Sequence, residues 1–121
     1  MKSPDIPITD DHIHIDPVNG RGLEAAKDFM RAGGTHFFLV TKPSSSFGII
    51  PQTGREYARV FDETLAVADQ VRALGIRVFV VLGIHPAEIT RLSADSPLPD
   101  VVAVMKQGFD IAASYIEEGT A

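Results

Sequence analysis

The chain has no cysteine and no tryptophan. Without cysteine, disulfides and thiolate metal sites are both excluded, and a reducing cytoplasm is the compartment the composition fits. No apolar run approaches the ~20 residues of a membrane-spanning helix, so no membrane role is expected. Met1-Lys2-Ser3-Pro4-Asp5 is not followed by a long apolar stretch either, which argues against a secretory signal. Positive charge is scarce: 11 Lys and Arg against 16 Asp and Glu give a formal net charge of −5. That balance disfavours broad electrostatic binding to nucleic acid or an anionic membrane, but it leaves room for a small phosphate-binding cleft. Internal repeats and low-complexity segments are also missing. What is present is 121 residues at 45% hydrophobic content, enough for one soluble domain with a modest core.

Apolar runs and turn residues alternate along the chain. Residues 6–14 read as a first strand, with Pro4 and Pro7 confined to its start, where a missing N–H matters least. A turn-rich loop follows. Leu23, Ala26, Phe29 and Met30 then fall at helical spacing up to the stop at Gly33-Gly34. Residues 35–41 read as a second strand, and residues 42–53 as a loop longer than the usual 2–6 residues or so. Thr53-Gly54-Arg55-Glu56 fits a capping box. The helix it opens carries Tyr57, Val60, Phe61, Leu65, Ala68, Val71 and Leu74 on one face and ends at Gly75. Residues 76–84 read as a third strand and residues 87–92 as a short helix or turn. A last helix over about residues 100–118 is expected to bury Val101, Met105, Phe109, Ala112 and Ile116. The strands are apolar enough to predict burial on both faces. The β-α-β-α-β-α order predicts an α/β fold with a parallel sheet and right-handed crossovers, and chemistry at the carboxyl ends of the strands.

The chemistry-bearing stretch is Asp10-Asp11-His12-Ile13-His14-Ile15-Asp16. Strand parity puts Ile6, Ile8, Asp10, His12, His14 and Asp16 on one face, with Ile13 and Ile15 on the other. Two neutral imidazoles on one side of a strand tip can converge on a divalent metal. The plainer alternative is one core histidine and one exposed one. Lys42 and His85 also fall at carboxyl ends of strands; Lys42 is a candidate contact for an anionic substrate, against the alternative of a solvated lysine. His36 falls at the opposite end and reads as structural. Gly83 permits close approach to the backbone, and Pro86 fixes the turn after His85.

These two segments, Asp10-Asp11-His12-Ile13-His14-Ile15-Asp16 and Gly83-Ile84-His85-Pro86, resemble the N-terminal third to half of the TatD-like metal-dependent hydrolases. That family belongs to the amidohydrolase superfamily of (β/α)8 TIM barrels, and the resemblance is to its archaeal-type TatD-related branch. Its first strand ends in Asp-Ser/Thr-His-x-His-hydrophobic-Asp; Asp11 stands here in the Ser/Thr position. The resemblance implies that His12 and His14 bind a divalent metal (zinc, magnesium or manganese). It gives Gly83, His85 and Pro86 the substrate side of the site, with His85 contacting substrate or phosphate rather than metal. The implied activity is hydrolysis of phosphodiester or related ester bonds in small-molecule or nucleic-acid substrates, through a metal-activated water.

The family's bridging Glu, two later histidines and an Asp have no counterpart; Glu117 and Glu118 sit in the last helical turn. Eight βα units need ~250 residues, so residues 1–121 read as one partial (β/α) barrel domain, its first three units. A fragment, a split-gene product and a truncation all fit. Three strands cannot close a barrel, so self-association or a complementing C-terminal segment is expected, and His12 and His14 are expected to bind metal weakly, or not at all, in the chain alone. Two alternatives remain: a non-enzymatic, partner-completed α/β module, and a histidinol-phosphatase-like phosphoesterase, which Asp16-Pro17 disfavours.

Overall fold

Residue-by-residue alternation governs the sheet. Phe37 and Leu39 in one strand, and Val78 and Val80 in the next, are buried, whereas their neighbours Phe38, Phe79 and Val81 are exposed. This computed structural model describes residues 6–121. Pro4, expected at the start of the first strand, lies outside the described residues.

The elements run β1 (Thr9–Ile13), α1 (Leu23–Arg31), β2 (His36–Val40), a 3-10 turn (Ser44–Phe47), a second 3-10 turn (Gly54–Glu56), α2 (Tyr57–Arg72), β3 (Arg77–Val81), α3 (Ala87–Leu92) and α4 (Leu98–Glu117). The strands form one parallel sheet in the order β1-β2-β3. The α/β architecture and parallel pairing match the expectation from sequence. Burial on both faces does not. Phe37, Leu39, Val78 and Val80 face a core shared with Ala26 of α1 and with Val60, Phe61, Ala68 and Val71 of α2. The opposite face carries Phe38 stacked on Phe79, ring centroids 5.1 Å apart, with no layer over it among the described residues.

The helices are positioned by their apolar stripes and glycine stops. α1 ends where Gly33 takes φ +100° and the Gly34 N–H donates to the Phe29 carbonyl, a left-handed termination that a Cβ would oppose. α2 buries Tyr57, Val60, Phe61, Thr64, Val67, Ala68 and Val71. The capping box does not form as expected. Thr53 makes no side-chain cap, and the Glu56 carboxylate accepts from the Gln52 N–H at 2.6 Å, because the first turn is a tighter 3-10 turn. In α4 the buried stripe is Val101, Met105, Gly108 and Ala112, while Phe109 and Ile116 point outward. The stripe turns that way because Gly108 lets the helix come close to Tyr57 and Ile84.

Among the described residues, no helix is long and apolar enough to cross a membrane.

Candidate functional site

Strand β1 reaches the site through an irregularity. Thr9 pairs with His36 and Asp10 with Phe37, but Ile13 pairs with Leu39, so β1 takes three steps where β2 takes two. A bulge of this kind inverts the parity on one side of it. Asp10 is therefore aligned with the helix-facing Phe37 and does not share a face with the histidines, contrary to the simple alternation read from sequence. Its carboxylate instead accepts the His12 N–H at 3.1 Å, bracing the bulge. Beyond it, Ile13 and Ile15 pack into the core and leave His12 and His14 on the uncovered side.

There the two rings meet edge to face, 5.1 Å between centroids, with Nε2 of His12 3.3 Å from Nε2 of His14. Nδ1 of His14 lies 2.9 Å from the Val40 carbonyl oxygen. A carbonyl only accepts, so Nδ1 carries a proton, and in neutral His14 Nε2 keeps its lone pair. A backbone carbonyl behind one ring nitrogen is the usual way a ligating histidine is oriented. Two nitrogens bound at about 2.0–2.1 Å around a tetrahedral ion lie about 3.3 Å apart, the separation found here. The pair thus fits one side of a tetrahedral site. No cluster of three or more His, Asp or Glu side chains that could hold a metal occurs among the described residues, so the pair offers two donors and no third joins it there.

His85 comes to the same rim from the end of β3. Its ring centroid lies 6.2 Å from that of His14, and the three histidines line a cleft of about 140 Å³ with Val40, Thr41 and the segment from Val81 to Pro86. The Ala87 N–H donates to Nδ1 of His85 at 3.1 Å. An amide only donates, so in neutral His85 the proton sits on Nε2 and the ring presents a donor. That suits contact with a substrate oxygen better than metal ligation.

Lys42 goes elsewhere. It is buried, with Nζ 3.3 Å from Oδ1 of Asp16 and 4.4 Å from the Phe47 ring centroid, and it does not line the cleft. The structure brings it to Asp16 and not to the histidines, because the loop after β2 folds back over the core through the Ser44–Phe47 turn. Asp16 is held by the Asn19 and Val18 N–H groups, both at 2.9 Å. The Asn19 amide above all, then Val18 and Lys42, outweigh its partial burial and bring its carboxyl down to about 2. His36 lies at the other end of the strands, 2.6 Å from the Thr35 hydroxyl through Nδ1 and stacked on Phe79, beside an open groove of about 940 Å³. It is away from the cleft, as its position in β2 implied.

One residue escaped the reading from sequence. Glu88, in the first turn of α3, is fully buried and accepts from the Ser44 N–H at 2.5 Å, the Ser44 hydroxyl at 2.8 Å and the Tyr57 hydroxyl at 2.9 Å. The signal was its place three residues after His85, which a six-residue helix gave no reason to weigh. Burial, and then the adjacent carboxylate, push the Tyr57 phenol well above its ordinary range, keeping it a donor.

The chain is similar to uncharacterized protein MJ1127 of Methanocaldococcus jannaschii, 30% identical over 114 residues, which is 93% of this chain and 38% of that protein. The chain therefore spans well under half the length of this relative. No family model matches the chain, and no solved structure matches it.

Proposed function

We propose that this chain carries part of the active site of a metal-dependent hydrolase of the TatD-like type, acting on phosphodiester or related ester bonds. One observation carries the reading: the Nε2 atoms of His12 and His14 stand 3.3 Å apart while the Val40 carbonyl fixes the tautomer of His14. His12 and His14 would hold the ion (zinc, magnesium or manganese) by their Nε2 atoms. Such an ion supplies a lowered pKa for water and polarisation of the scissile group. His85 donates its Nε2–H to a substrate oxygen across the cleft, and Gly83 lets that substrate approach the backbone.

The fold completes the proposal. Sequential parallel strands with helices on one face and an apolar, uncovered second face support a reading as three units of a (β/α)8 barrel, in which the open face would be its interior. Further ligands and the general base would then come from whatever segment or partner completes the barrel.

A second reading is a partner-completed α/β module without activity of its own, favoured by the exposed Phe38–Phe79 face. Titration with Zn²⁺ and Mn²⁺, with release of nitrophenol from bis(4-nitrophenyl) phosphate as readout, tests the hydrolase reading. The chain alone is expected to bind metal weakly and at one site, and His12→Ala or His14→Ala to abolish that binding. Metal binding indifferent to both substitutions would remove the proposal.

A further inference from the structure

The buried carboxylate beneath the cleft is unaccounted for by either reading. Glu88, Ser44 and Tyr57 are each about 1% exposed. An ionised group closed in a core is costly unless fixed donors meet it, and an apolar side chain of similar volume would fill the same space at no such cost. Glu88 accepts three hydrogen bonds, from two different segments: the loop after β2 through Ser44, and the start of α2 through Tyr57. Its own N–H donates to the His85 carbonyl at 2.9 Å, and the preceding N–H, of Ala87, donates to Nδ1 of His85 at 3.1 Å. Residues 85–88 therefore form one hydrogen-bonded turn, and Glu88 is its anchor in the core.

We infer that Glu88 is a positioning residue for His85. By tying the turn after β3 to Ser44 and Tyr57, it holds the Ala87 N–H on Nδ1 and so keeps the Nε2–H of His85 directed into the cleft. The inference rests on the hydrolase reading only for what His85 does with that proton; the anchoring itself needs neither metal nor substrate. The donors are suited to the task, because charge-assisted hydrogen bonds to a buried carboxylate are short and directional. The same contacts link the loop carrying Lys42, and through Lys42 the turn at Asp16, so the loops following all three strands are braced under one rim.

Amide hydrogen exchange on the 121-residue chain distinguishes anchoring from general stabilisation. Glu88→Gln keeps the shape and removes the charge. The Ala87 amide is expected to exchange at least about tenfold faster in this variant, with the Leu39 amide in β2 little changed and the ¹⁵N–¹⁵N coupling across the Ala87 N–H to His85 Nδ1 hydrogen bond lost. If Glu88→Gln does not fold, Tyr57→Phe removes one donor and is expected to accelerate Ala87 severalfold, again sparing Leu39. Equal acceleration at Ala87 and Leu39, or no change at Ala87, in the variant that folds would overturn the assignment. The measurement is made without metal. A failed hydrolase reading would thus show in the metal titration of His12→Ala, and a failed anchoring in the exchange.

Discussion

Lys42 Nζ sits 3.3 Å from Asp16 Oδ1 with the lysine buried and no hydrogen-bond partner on its ammonium among the described residues, so the contact is an ion pair under the loops, apart from the histidine cleft. Asp16→Asn keeps an acceptor for the turn amides but leaves the ammonium uncompensated, which should cost roughly 1–3 kcal/mol. Lys42→Met keeps the stem volume and should cost less. The folded carboxyl lies at about 2 against an ordinary 3.8. Its ionised form is therefore favoured by folding, and its contribution to stability is complete above pH ~4 and lost as pH falls towards ~2. Urea midpoints measured from pH 5 to pH 2 should fall through that window in the wild type and less steeply in Asp16→Asn. Parallel profiles would assign the acid sensitivity to other groups.

What sequence reasoning reached and what it missed divide along physical lines. Periodicity located the three strands and the helices, because burying an apolar stripe is a property that each segment carries in its own residues. Glycine stops at Gly33 and Gly75 were legible for the same reason, both taking positive φ. The convergence of His12, His14 and His85 followed from parallel topology alone. The bulge before His12 was hidden, since a ladder irregularity depends on the partner strand and leaves no mark in alternation. Glu88 was hidden because its donors lie 31 and 44 residues away. The open face of β2 and β3 read as buried because apolar composition reports the surroundings a strand is suited to. Phe38, Phe79 and Val81 are exposed among the described residues.

The imidazole tautomers offer a direct check on the histidine pair. His14 should be protonated at Nδ1 and His85 at Nε2 when neutral, by the partners that Val40 and Ala87 provide. Long-range ¹H–¹⁵N correlation spectra report this directly. Added Zn²⁺ should shift the Nε2 resonances of His12 and His14 and leave Nδ1 of His85 nearly unmoved. Val40 acts through its main chain, so Val40→Ala should preserve the His14 pattern, and loss of that pattern would mean the carbonyl is not what holds the ring.

Gly54 is where the loop before α2 crosses α4. A Cβ there would lie 2.1 Å from Cβ of Gln107, 2.6 Å from the Val104 carbonyl oxygen and 2.8 Å from the Gly108 nitrogen. Two of those three atoms are backbone and cannot rotate away, and the Gly54 N–H already donates to the Gln107 side chain at 2.8 Å. Gly54→Ala should therefore push α4 outward and destabilise the fold by about 1–3 kcal/mol. Thermal and urea unfolding measure it. A variant as stable as the wild type would show that the helix sits farther from the loop.

The uncovered sheet face gives the prediction on which the barrel reading can be separated from a sheet designed for water. Phe79 is 51% and Phe38 37% exposed, stacked on each other in the middle of β3 and β2, with Val81 exposed beside them. Neighbouring apolar side chains on an open sheet are a recognised association surface. The chain should therefore self-associate as its concentration rises, and bind the dye ANS. Phe38→Ser with Phe79→Ser should suppress both. Because these rings face away from the core of Phe37, Leu39, Val78 and Val80, the double substitution leaves that core in place and removes the ring stacking and the half-covered area of two side chains, which should cost about 1–3 kcal/mol without unfolding the chain. The histidine rim should be unaffected, so Zn²⁺ binding by the double variant should match that of the wild-type chain at low concentration. Sedimentation velocity across a concentration series decides the matter. A wild-type chain that stays monomeric and dye-free at high concentration would mean that this face needs no cover, and the barrel-interior reading would lose its main structural support.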